Sequence, residues 1–487
     1  MQIPILSDKR LERIQYLIIA LSCLFLAIQY FFNRAFWLDE SAIALNILNR
    51  DFAGLLKPLD YGQLTPVLFL WFSKLGAILL PNTELGLRLF PLLCFIASLF
   101  IFKNISAKIL QSKGSQLICL ALFAFNLSYL YFSSEFKQYI VDVFVTLLII
   151  ALSTSTHASP WKKYLRMLFV YAFCILVSHV AVLIIFTVSL FQLLLQIQRK
   201  EINRPFLITH SIFAVYFIAF YLHFMYHHPL QGAMEKYWQH SFLPTDSLGS
   251  FLLFFKHKFS MIFADFFQFG KPLGALLMLL FLLGILQGFR KKNTQLLFLA
   301  ILPILIHLFL SALKAYPFDL RLILYLTPLI LLLIGTGFDA IIQAIPKSEK
   351  IVQFLFILPL LFLLLKLQQA KIPIQREEIK SSYSFLKTKI QAADKILVFW
   401  QSGYTYQYYK RTGSFDLAND DEEIRFDNFT KDSTALSHEN NWVIFTHLDS
   451  SKEHLLLAKL GPSFQTTEMY RCTGSSVYLV KPLHPIK

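Results

Sequence analysis

Tyr16–Phe32 reads YLIIALSCLFLAIQYFF, and seven residues further on the chain sets Asp39 and Glu40 side by side. The apolar stretch, extended back to Ile14, is close to the ~20 residues of helix that cross a ~30 Å hydrocarbon core. It is too long for a removable signal peptide and lacks a small-residue cleavage site, so it is expected to stay as an anchor. Similar runs recur as LITHSIFAVYFIAFYLHF (Leu207–Phe224) and RLILYLTPLILLLIGTG (Arg321–Gly337). Across 487 residues the chain is 56% hydrophobic, with 50 Phe and only 15% charged residues; a soluble protein carries about 25% charged residues. In lipid, only helices or closed barrels satisfy their own backbone groups. The expected class is an all-α polytopic membrane protein.

A net charge of +15 does not point to nucleic acid here, because most Lys and Arg stand in short loops between apolar runs. Cys23, Cys94, Cys119 and Cys174 lie in apolar segments and Cys472 stands alone, so neither a disulfide framework nor a CxxC metal pattern is present. No inverted repeat of the transporter kind is evident. Cytoplasmic loops carry an excess of Lys and Arg, which places the N-terminus (Lys9, Arg10, Arg13) and residues 103–113, 161–166, 199–204, 290–292 and 347–350 inside. Paired spans then follow near 116–132 and 136–153, 164–178 and 180–197, 206–224 and 272–289, and 295–313 and 320–338. A last span near 351–368 leaves the C-terminus outside.

TPVLFLWFSKLGAILL (Thr65–Leu80) looks like a further span, but counting it would turn every later basic loop outward. Laid in the outer interface as an amphipathic helix, with Lys74 on its polar side, it needs no full crossing. Residues 86–102 then return inward, which makes eleven spans in all. This topology gathers Asp39, Glu40, Tyr61, Gln63, Arg88, Glu135, Lys137, Tyr139, His179 and Arg321 at outer ends or in outer loops. The connection 226–271 and the tail share that side.

From about Lys371 the composition changes. REEIKSSYSFLKTKI has helical spacing, KILVFW and NWVIFTH read as buried strands, and SVYLVKP reads as an edge strand. The expected division is a membrane domain over 1–370, with outer loops 33–85 and 226–271, and a small extracytoplasmic α/β domain over 371–487. The tail has no phosphate-binding loop or nucleophile motif. Its expected part is to shape the outer mouth or to recognise an acceptor.

Ionisable residues at membrane depth are costly, and so are candidates for function. Asp39–Glu40 fits an acidic N-cap region of the helix SAIALNILNR, or a general base taking a proton as a bond forms. In SSEFKQYIVD, Glu135, Lys137 and Tyr139 open a span; a snorkelling lysine with a surface glutamate is the plain account, a substrate-positioning group the sharper one. His179, in SHVAV, sits in a tight turn and serves either as a structural hydrogen-bond partner or in the site. Arg321, in AYPFDLRLILYLTP, either snorkels or holds a phosphate through its planar head. Arg88, in ELGLRLFP, is a similar candidate, with a local Glu84–Arg88 pair as its plain alternative.

Taken in order, these features are an aspartate–glutamate pair after the first span, a Pro-containing interfacial helix and E-x-x-x-R. S-x-E-x-K-x-Y, a Ser-His turn and YPF-x-x-RL follow. Over residues 14–340 the set resembles the GT-C glycosyltransferases of the protein O-mannosyltransferase and aminoarabinose-transferase type, which use polyprenyl-phosphate sugars. The resemblance implies an inverting transfer on the outer face of a bacterial cytoplasmic membrane, from a lipid-phosphate sugar donor to a lipid, glycan or protein acceptor. It makes Asp39 the base, Arg321 the cation near the donor phosphate, and Glu40, Tyr61, Arg88, Glu135, Lys137, Tyr139 and His179 substrate-binding. Lys137 stands where Arg is usual, which weakens bidentate phosphate binding there. The resemblance allows, without requiring, a divalent cation (Mg or Mn) with Asp39 and Glu135 as candidate ligands. The competing reading is a transporter or flippase of a lipid-linked anionic substrate, but that would place charge near the bilayer midplane on broken helices. A purely structural scaffold would leave the clustered charges without a role.

Overall fold

The computed structural model describes residues 8–80, 83–154, 159–226, 231–268, 270–344, 363, 368–391, 394–415, 424–425, 440–460 and 462–483. The chain divides into two compact units. One comprises Met1–Phe31, Thr65–Pro81 and Arg88–Ile372; the other comprises Phe32–Leu64, Asn82–Leu87 and Pro373–Lys487.

The first unit is helical. Seven helices among the described residues are long and apolar enough to cross a membrane: Lys9–Phe31, Thr83–Ile109, Ala181–Gln198, Arg204–Phe224, Gly270–Arg290, Thr294–Ala312 and Leu324–Ala344. The expected last span, near 351–368, lies almost wholly outside the described residues. Val67–Leu79 is a helix of 13 residues with Pro66 just ahead of it.

Residues 116–132 depart from the expectation of one continuous span. Lys113–Ala124 ends at Phe125, and its 12 residues reach only about 18 Å. Asn126 causes the break. Its side chain accepts the N–H groups of Ser128 and Tyr129, capping the short helix Leu127–Phe132, and its amide donates to the Phe266 carbonyl at 3.0 Å. Asn in this role competes with helix continuation.

Two contacts set the helix packing. A Cβ on Gly284 would come within 1.9 Å of the Leu333 carbonyl oxygen, and one on Gly337 within 1.9 Å of that of Leu280. Backbone therefore lies on backbone between the Gly270–Arg290 and Thr327–Ala344 helices, the close approach that small residues permit in membranes. From the second of these helices, Asp339 accepts the N–H groups of Gln111 and Ser112 at 2.8 and 2.9 Å. A carboxylate there satisfies donors at the start of Lys113–Ala124 and complements the helix dipole.

The second unit carries a five-stranded sheet. Its strands are β1 (Lys395–Val398), β2 (Ile424–Arg425), β3 (Asn441–Thr446), β4 (Phe464–Cys472) and β5 (Ser475–Pro482), in the order β2-β1-β3-β5-β4. β1 is parallel to β2 and β3, while β5 is antiparallel to β3 and β4. β5, expected as an edge, is interior. The edge is β4, whose polar run Gln465–Glu468 stays exposed, as edge strands that resist aggregation do. Leu397, Phe399, Val443, Phe445, Leu457, Tyr478 and Val480 form this unit's core. The fold class is thus a polytopic helical membrane body with a small C-terminal α/β piece.

Gly284→Ala and Gly337→Ala should each lower the thermal midpoint of the detergent-solubilised protein, at a cost of about 1–3 kcal/mol or more for overpacking. Gly249→Ala should leave it unchanged, because only Ser247 Oγ, at 3.9 Å, lies near the added Cβ. Equal midpoints for all three variants would overturn the backbone-contact account.

Candidate active site

In the α/β unit, the loop after the first span winds into the helix Leu38–Asn49. The adjacent carboxylates separate here, because consecutive helical residues point about 100° apart. Glu40 turns inward: its Oε2 accepts from Arg34 Nη1 at 2.9 Å, with the two side chains 0% and 2% exposed, and from the Trp37 N–H at 3.4 Å. Asp39 is half-buried and retains a solvent-facing portion. The pair is therefore one buried, ion-paired carboxylate beside one that is only half-buried.

The rest of this loop is also tightly specified. Asn46 donates to the Asp60 carbonyl at 3.3 Å and accepts the Asp60 N–H at 2.9 Å. Arg50 pairs with Asp60 at 2.7 Å. These contacts fix the turn in which Tyr61 and Gly62 both have positive φ, 61° and 65°. An aromatic residue is uncommon in that region and marks a locally over-determined turn. The Tyr61 ring lies 4.9 Å from that of Tyr404. Glu84 pairs with Lys380.

The helical unit holds the remaining candidates. Glu135 and Lys137 lie in the turns between Leu127–Phe132 and Tyr139–Ser153, and both are buried, as is Arg88. Tyr139 and Arg321 come together: the guanidinium carbon lies 5.8 Å from the Tyr139 ring centre and 4.9 Å from that of Trp238. A guanidinium against aromatic faces keeps its charge while shedding water, a favourable cation–π arrangement. Arg321 is half-exposed and stands ahead of the helix Thr327–Ala344, not inside its start. His179 is half-buried in the Ser178–Val180 turn. That turn is tied to the Tyr139–Ser153 helix by Ser178 Oγ donating to Asp142 Oδ1 at 2.6 Å.

Several residues here had no separate sequence signal. The turn bearing Arg321 is anchored by Asp319, which accepts from Ser241 Oγ at 3.1 Å and faces Lys258 Nζ at 3.6 Å. Burial pushes the Lys258 ammonium below its ordinary pKa, and Asp319 partly restores it. The Phe318 N–H donates to the Ser241 carbonyl at 2.8 Å. His307, fully buried, has Nε2 3.0 Å from the Pro317 carbonyl and Nδ1 2.9 Å from the Tyr325 hydroxyl. A carbonyl only accepts, so Nε2 carries the proton and Nδ1 takes the tyrosine's. Asp142 was readable in SSEFKQYIVD, three residues beyond Tyr139, but nothing in the spacing signalled its serine.

The contrast within Asp39–Glu40 has a thermodynamic consequence. Glu40→Gln strips a buried arginine of its charge partner and should cost about 3–5 kcal/mol. Asp39→Asn, at a half-buried side chain rather than within a fully buried ion pair, should cost less. Chemical denaturation of the two variants checks this, and equal losses would contradict the inward assignment of Glu40.

No family model matches this chain, and no curated protein matches it. Among solved structures it is similar to ArnT from Cupriavidus metallidurans bound to undecaprenyl phosphate, at 13% identity and a TM-score of 0.48, over 95% of this chain and 97% of that one. The same protein in the apo state gives 11% and 0.46 with the same coverage. The Archaeoglobus fulgidus oligosaccharyltransferase gives 12% and 0.49, over 95% of this chain and 72% of that one. At these values the likenesses assign no chemistry, which has to come from this chain's own side chains.

Proposed function

We propose that this chain is a GT-C-type membrane glycosyltransferase, moving a sugar from a polyprenyl-phosphate donor to a lipid, glycan or protein acceptor on the outer face of a bacterial cytoplasmic membrane. The observation that carries the reading is the unequal treatment of two neighbouring carboxylates. Glu40 is closed into an ion pair with Arg34, while Asp39 stays half-open at the first turn of its helix. The order of motifs along residues 14–340 supplies the reaction class.

In the proposed reaction the acceptor's hydroxyl or amine attacks the anomeric carbon of the donor sugar. Asp39 takes the proton the nucleophile loses, as a positioned carboxylate does. The bond between anomeric carbon and phosphate oxygen breaks with inversion, and its electron pair leaves on the lipid phosphate. Arg321 stabilises the charge that grows there, its guanidinium lying near the rings of Tyr139 and Trp238. Tyr61 and His179, both half-open, are proposed to contact substrate. Glu135, Lys137 and Arg88 are buried and are proposed to set the field around the donor phosphate. Among the described residues no group of three or more His, Cys, Asp and Glu is arranged to hold a metal ion, and the proposed steps use none.

In membranes supplied with labelled polyprenyl-phosphate sugar, Asp39→Asn should lower the transfer rate by about 10²–10⁴ while donor binding changes little. Unimpaired transfer would remove Asp39 as base. Label crossing the bilayer without transfer would replace the enzyme by a transporter. For orientation, single cysteines at Lys74 and Lys108 should differ: an impermeant thiol reagent should reach position 74 from outside and not position 108. Outside labelling at 108 would overturn the proposed topology.

A further inference from the structure

The C-terminal part of the chain carries no catalytic motif, yet it makes specific bonds to the segment that bears Asp39. Both belong to the same compact unit. The helix Trp400–Arg411, WQSGYTYQYYKR, buries Thr405, Tyr408 and Tyr409. Tyr409 Oη accepts the Phe36 N–H at 2.9 Å, and Thr405 Oγ1 accepts the Ser41 hydroxyl at 3.2 Å. Residues 405 and 409 are one helical turn apart and so present to one side. The two bonds bracket Asp39, one three residues before it and one two residues after.

Aromatic contacts reinforce the bracket. The Phe36 ring lies 5.0 Å from that of Tyr408. Trp37 stacks on His447 at 5.2 Å and 14°, and the Arg376 guanidinium lies 5.3 Å from its ring centre. His447 itself has φ 66° and pairs with Glu377. A backbone held in this sparsely populated region needs surroundings that over-determine it. Lys380 donates to the Asn33 carbonyl at 2.9 Å.

We propose that Thr405 and Tyr409 are positioning residues for Asp39, and that the C-terminal α/β part serves to hold the base in register rather than to recognise an acceptor. This rests on the reading of Asp39 as the base. Neither residue touches a reactant; each acts by fixing the backbone that carries the carboxylate. A base displaced by a fraction of an ångström loses its proton-transfer geometry while donor affinity is unaffected.

The test uses the full chain in detergent or nanodiscs. Tyr409→Phe and Thr405→Val keep side-chain volume and remove one oxygen each. Each should lower kcat roughly tenfold, and the pair roughly a hundredfold, with KM for the donor within about threefold. Thr405→Ser restores the hydroxyl and should restore kcat. In an Asp39→Asn background, Tyr409→Phe should have no further effect, because both act on the same step. Hydrogen exchange at the amides of residues 36–41 should quicken in Tyr409→Phe and stay unchanged in Glu468→Gln, at the far sheet edge. Unchanged exchange and kcat in the double variant, or an undiminished loss in the Asp39→Asn background, would overturn the positioning role. Absence of transfer by the wild-type chain would instead overturn the glycosyltransferase reading, and the exchange measurement would still decide whether the helix holds the loop.

Discussion

A polar group removed from water must find its partner inside the chain, and in an apolar body that requirement governs where helices stop. Asn126 takes two N–H groups and gives its own to Phe266, which breaks what would otherwise be a span. Asp339 closes the donors at the start of Lys113–Ala124. His307 uses both ring nitrogens, and Ser178 uses its hydroxyl on Asp142. Each of these groups is buried and partnered, and an unpartnered one would cost several kcal/mol in such surroundings. The irregular turns that result are where Glu135, His179 and Arg321 stand. The same demand that bends the helices thus presents the candidate residues.

Hydrophobic runs near twenty residues long made most of the membrane helices readable, since length and apolarity are the whole requirement for crossing. Residues 116–132 defeated that reading because Leu, Phe and Tyr dominate the average and one Asn decides the geometry. The strands KILVFW and NWVIFTH were readable from their β-branched and aromatic content. SVYLVKP was mistaken for an edge because its polarity at one end resembles one, whereas pairing to the more polar β4 is a non-local fact. In the candidate site, Asp39, Tyr61 and Arg321 were visible as polar residues beside spans. Trp238, Asp319 and Lys258 were not, since the segment 226–271 carries no periodic code and its partners lie tens of residues away. That Glu40 closes on Arg34 was only half-visible: the spacing suggested a cap, and nothing named the arginine.

Electrostatically, the two sets of residues follow different rules. Arg34 and Glu40 neutralise each other in a closed space, so their charges have little influence beyond the loop. Arg321 stands at a half-open turn against the rings of Tyr139 and Trp238, whose faces attract a cation. Lys137 is buried, and a lysine head offers no planar fork for bidentate bonding.

The α/β unit is assembled from pieces far apart along the chain. Phe36 waits for Tyr409, 373 residues later, and at a ribosomal rate of about 5–20 residues per second that delay is about 20 to 75 seconds. During that time the nascent protein would have inserted most of its helices while its first loop lacked its hydrogen-bonding partner. Closing so long a loop is entropically costly and late. The Phe36–Tyr409 bond cannot close until residue 409 has been made, so a chain that stalls before it leaves the segment around Asp39 without its bracket.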